Sequence, residues 1–99
     1  KNFFMDIYSQ IASRIIREQE LIIGPLAWSE AGKVKDIRVV DQTKGEVVIE
    51  IPGDHKLVID ALVAQYERLF GRASREVCKE AAATIVADLE PEQVPVSLR

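Results

Sequence analysis

The 99-residue chain holds one cysteine, Cys78, and one histidine, His55, the side chains best suited to nucleophilic or metal chemistry near neutral pH. A Cys–His nucleophile needs the pair to meet in space, whatever their separation in sequence. Cys78 stands beside Val77 on the apolar stripe of an expected helix, where a free thiol ordinarily behaves as a small buried hydrophobe. His55 follows Asp54 at an expected helix start. There the positive end of the helix dipole disfavours an imidazolium, so an exposed first-turn residue is its ordinary role. One His and one Cys do not build the ligand cage of a structural zinc site, and no metal or other cofactor is expected. Glu46 and Glu50 share a face of an expected strand about 13 Å apart at 3.3 Å per residue, too far for a glycosidase carboxylate pair. A phosphate-binding loop needs four residues between its glycines and a Lys followed by Ser or Thr. Here seven residues separate Gly24 from Gly32, and Val34 follows Lys33. The G-x-G-x-x-G and G-x-S-x-G patterns are missing from the chain. With no catalytic set in view, a non-enzyme is expected.

Two features carry a binding reading. Arg68, Arg72, Arg75 and Lys79 are spaced four, three and four residues apart, so they would align on one side of a continuous helix and could hold an anion or an acidic surface. Glu67, Glu76 and Glu80 stand among them, and a solvated helix face is the commoner use of such a pattern. The second feature is the run Leu21-Ile22-Ile23-Gly24-Pro25-Leu26-Ala27-Trp28, too long to be hidden by one helical stripe and therefore either core or interface. Ile22, Ile23, Leu26 and Trp28 are the interface candidates in that run. Ile23-Gly24-Pro25-Leu26-Ala27 resembles stretches at helix junctions in small helical accessory domains of bacterial signalling proteins; the likeness covers five residues and assigns no family.

Stepping along the chain, apolar residues from Phe4 to Ile23 recur every three or four positions, the spacing of a one-sided helix. Gly24-Pro25 ends it, because a proline pushes its predecessor out of helical dihedrals, and Pro25 suits the first turn of a second, shorter helix. From residue 36 to 52 the period falls to two. Ile37 and Val39, then Val47, Ile49 and Ile51, alternate with Arg38, Glu46 and Glu50, which predicts two half-buried strands joined at Asp41–Gly45 with Gly45 at positive φ. Asp54 is placed to cap a third helix with Leu57, Val58, Ala61, Leu62, Tyr66, Leu69 and Phe70 on its inner stripe. Gly71 then ends it, and Ser74 caps a fourth; one continuous helix from about residue 55 to 89 is the rival reading. Residues 90–99, with Pro91 and Pro95, read as an extended tail or linker after a domain spanning 1–89.

The fold class expected is therefore α+β: helix, helix, β-hairpin, helix, helix in a single small domain. Thirteen Lys and Arg against sixteen Asp and Glu give a net charge of −3, with seven bases and eight acids in residues 1–50 and six and eight in the rest. No basic arm is present, so nucleic acid is not the expected partner. The longest apolar run, Ala61–Ala64, is far short of a membrane span, and a single cysteine fits a reducing compartment, with the cytoplasm as the expected location. A two-stranded ribbon needs its edges covered. Together with the Leu21–Trp28 run, this leads to a non-catalytic interaction or assembly module working as a homodimer, with Val40 and Val48 of the hairpin as further interface candidates. The alternative is an anion- or nucleic-acid-binding module built on Arg68, Arg72, Arg75 and Lys79.

Overall fold

The computed structural model describes residues 5–50 and 52–99; the expected helix start at Phe4 and strand end at Ile51 lie outside them. Helix α1 spans Ile7–Ile23 and begins at Asp6, whose carboxylate accepts the Ser9 N–H at 2.8 Å. That bond satisfies one of the donors that a helix start leaves free. The helix ends at Gly24, which takes φ 74°, a conformation that costs a residue with a Cβ. Helix α2, Leu26–Ala31, follows Pro25 and turns Ala27, Trp28 and Ala31 inward. Strands β1, Ile37–Asp41, and β2, Glu46–Ile49, pair antiparallel with Ile37 opposite Ile49 and Val39 opposite Val47; a bulge sits between Val39 and Asp41. Gly45 has the expected positive φ, 71°.

Helix α3 spans His55–Phe70, with Asp54 accepting from the Lys56 N–H, and α4 spans Ala73–Val86. The break expected near residue 71 is present, since Gly71 closes α3 at φ 93°, and the single long helix is excluded. Ser74 is not the cap of α4. Arg72 occupies that position without a side-chain bond, and Ser74 is the second residue of the helix, buried, its carbonyl taken by Gln19.

Helices α1 and α3 start at the same end of the molecule, where His55 Nδ1 lies 3.6 Å from the Asp6 carboxylate. Helix α4 runs back along α1, with Arg14 bonded to Thr84 and Gln19 to Ser74. The core between the helices is built of Ile11, Ile15, Ile16, Trp28, Ile59, Leu62 and Tyr66. Burial of these side chains, each contributing roughly 1.5–3 kcal/mol, is the main force holding the helices together. The hairpin lies along α1 through buried Val47 and Ile49. Ser9 Oγ accepts the Ile49 N–H, Ser13 Oγ donates to the Gly45 carbonyl at 2.6 Å, and the Arg17 guanidinium occupies the space a Cβ on Gly45 would need. The edge of β2 is thus covered within the chain.

Residues 90–99 depart from the expected extended tail. Pro91–Gln93 and Val96–Leu98 form 3-10 turns, and Val94, Pro95 and Leu98 are buried. Alternating apolar and polar residues let this segment lay one side on α3 and α4 while Asp60 accepts both the N–H and the Oγ–H of Ser97. Leu57, Ala61, Leu69 and Phe70 also differ from the expected inner stripe and are exposed. Leu57 lies on the stripe's outer margin, and Leu69 and Phe70 stand in the last turn of α3, directly before Gly71.

Candidate functional site

The end of the molecule opposite His55 is where α1 stops, α2 starts, α3 stops and α4 starts. Gln19 Nε2 reaches the Ser74 carbonyl at 3.3 Å and the Cys78 sulfur at 3.5 Å, tying α1 to α4. Tyr66 donates to the Ala27 carbonyl at 2.7 Å, tying α3 to α2. Below this end the floor is closed: Trp28, Tyr66, Gln19 and Cys78 are all buried. Burial pushes the Cys78 thiol up to about 11 and the Tyr66 hydroxyl higher still above its ordinary value, so both stay protonated at neutral pH. Among the described residues, Trp28 Nε1 is the one buried side-chain nitrogen or oxygen without a hydrogen-bond partner. Two residues further along α2, Glu30 accepts from Lys33 and Gln65, bonds that hold its carboxyl below the usual range.

Above that floor the surface is apolar. Leu21 is 79% exposed, Ile22 62%, Leu26 46%, Leu69 43% and Phe70 38%. These five belong to the two helix junctions, Gly24-Pro25 and Gly71-Arg72. Of the sequence-predicted interface residues, the structure brings Ile22, Ile23 and Leu26 to this end, with Ile23 half-buried. Trp28 falls on the core side of the core-or-interface alternative: it is 3% exposed and enclosed by its own chain, because α2 turns Leu26 outward and Trp28 inward. Val40 and half-buried Val48 lie elsewhere, on the hairpin; the bulge leaves Val40 38% exposed, and Val48 pairs with Arg38, which is salt-bridged to Glu50.

The basic series is split by the break at Gly71. Arg68 donates to Gln65 at 2.6 Å, and Arg75 is paired with Glu67 at 3.2 Å. Arg72 is exposed at the junction, while Lys79 is half-buried in a depression it shares with Glu76 and Glu80. Three of the four therefore border the apolar end. Leu21 stood in the apolar run singled out in the sequence. Leu69 and Phe70 were missed as surface residues, and the signal was their position directly before a helix-ending glycine.

Cys78 and His55 are not brought together. Their contacts on the first helix, Gln19 and Asp6, are separated by about 20 Å at 1.5 Å per residue. His55 is half-buried against the edge of the Tyr8 ring, centroids 6.0 Å apart. Among the described residues no group of three or more His, Cys, Asp or Glu could hold a metal ion, and no helix is long and apolar enough to cross a membrane. A cleft of about 610 Å³ opens between α4 and the C-terminal turns, lined by Val86, Pro91, Glu92, Val94, Leu98 and Arg99. No family model, curated protein or solved structure matches the chain.

Proposed function

We propose that the chain is a non-catalytic interaction and assembly module that docks through the apolar end formed by its two helix junctions. The observation that supports this reading is the placement of Leu21, Ile22, Leu26, Leu69 and Phe70, five of the nine exposed large hydrophobic residues among those described. Single exposed apolar side chains are ordinary, but a concentration of them marks a binding surface. Its apolar centre and charged margin have the composition of a protein-binding patch, and a second copy is the partner the sequence analysis expects. The other reading, an anion or nucleic-acid site on Arg68, Arg72, Arg75 and Lys79, has less support because Arg75 is already neutralised by Glu67 and Lys79 stands among glutamates.

An apolar fluorescent dye of the anilinonaphthalene type tests the docking surface. The dilute chain should enhance its emission, and Leu26→Ser combined with Phe70→Ser should abolish the enhancement while the helical circular dichroism is unchanged. Equal dye binding by wild type and variant would remove the reading.

A further inference from the structure

We propose that the occupant of the apolar end is a second copy of this chain, related by a two-fold axis, with the Gly24 junction of each copy seated on the Gly71 junction of the other. The proposal rests on the docking reading above and names the partner for that surface. Its basis is a charge asymmetry between the junctions. Residues 18–29 contain Glu18 and Glu20 and no base, whereas the Gly71 junction presents Arg68 and Arg72, with Arg75 beside them already paired to Glu67, so the first junction is acidic and the second basic.

Both junctions lie at one end of the molecule, yet within a chain no ion pair joins them. Among the described residues the ion pairs are Lys33–Glu30, Arg38–Glu50, His55–Asp6 and Arg75–Glu67. Glu18, Arg68 and Arg72 are exposed, and Glu20 is half-buried. A two-fold contact presents the same patch from both copies. A patch of one sign would repel itself, but a patch that is acidic on one half and basic on the other meets its complement when the halves cross. Each glutamate pair then faces the arginines of the other copy around an apolar centre, which excludes water and strengthens the pairing. A nucleic acid or an acidic surface would complement the arginines and oppose Glu18 and Glu20. A second copy satisfies both halves at once and closes without propagating into a fibre.

Sedimentation of the full chain at low salt tests the pairing through two variants, Glu18→Arg with Glu20→Arg, and Arg68→Glu with Arg72→Glu. The wild type should be a monomer–dimer system, and each variant alone should self-associate roughly tenfold or more weakly. Mixed, the two should form a heterodimer of near wild-type affinity, because every reversed junction then meets its opposite. A mixture that associates no better than its components overturns the charge register. A wild type that stays monomeric at millimolar concentration overturns the pairing but leaves the docking reading to the dye experiment. Dimerisation that survives both reversals and Phe70→Lys places the contact elsewhere, and both the pairing and the docking reading then fall.

Discussion

The two ends of the helical layer are finished in different ways. At the end where α1 and α3 begin, the C-terminal segment is held by polar bonds: Tyr8 donates to the Gln93 carbonyl, Lys56 to the Glu92 carbonyl, and Ser97 to Asp60. Val94, Pro95 and Leu98 are buried beneath those bonds. At the opposite end no segment among the described residues folds over the helix junctions, and Leu21, Ile22, Leu26, Leu69 and Phe70 face outward. The chain closes one end with residues 90–99 and leaves apolar side chains exposed at the other. A short domain that hides its core well can still carry an apolar surface, provided a closed floor keeps the two apart.

That contrast can be broken or sharpened by mutation. The largest effect should come from the floor of the open end. Trp28→Ala should cost about 3–5 kcal/mol in chemical denaturation, since it leaves a large cavity; a loss below 1 kcal/mol would mean that the floor is not part of the core. Cys78 adds a pH dependence there. Its folded pKa is raised from 9.0 to about 11 by burial, so its contribution is intact below pH 9 and is lost as pH rises through about 11. Denaturation series across that range should show a decline on the order of 2–3 kcal/mol from this group; Cys78→Ala should reduce the slope, and what remains comes from Tyr66, whose hydroxyl is raised by the same burial. At the sealed end, Asp60→Ala removes the acceptor of two Ser97 bonds. It should cost about 1–3 kcal/mol and speed amide exchange in residues 94–99 specifically. Smallest is the change at the open end itself: Leu21→Ser or Ile22→Ser should shift the stability of the dilute monomer by no more than about 0.5 kcal/mol, and a larger loss would show these side chains to be structural.

The order of elements was legible because the hydrophobic period separates helices from strands, and a glycine breaks each run of one period into two elements. Gly24-Pro25, Gly45 and Gly71 stand where the chain turns. The fate of residues 90–99 was not legible. Val94, Pro95 and Leu98 are too few and too irregularly spaced to announce burial, and only the groove between α3 and α4 makes them core. Periodicity places Leu57, Leu69 and Phe70 on or near one stripe of α3, but it does not say where the neighbouring helices stop covering that stripe. The charges of residues 18–29 and 68–75 were equally readable, yet their opposition has meaning only once Gln19 and Ser74 are seen to meet.

The central claim, that the open end is the docking surface and a second copy its occupant, is tested most directly by amide hydrogen exchange of the wild-type chain at two concentrations, one dilute and one near millimolar. The account predicts slower exchange at high concentration in residues 18–29 and 66–76, with residues 91–99 and the hairpin unchanged. Protection that appears only in the hairpin or the C-terminal turns, or in no segment at any concentration, would contradict it.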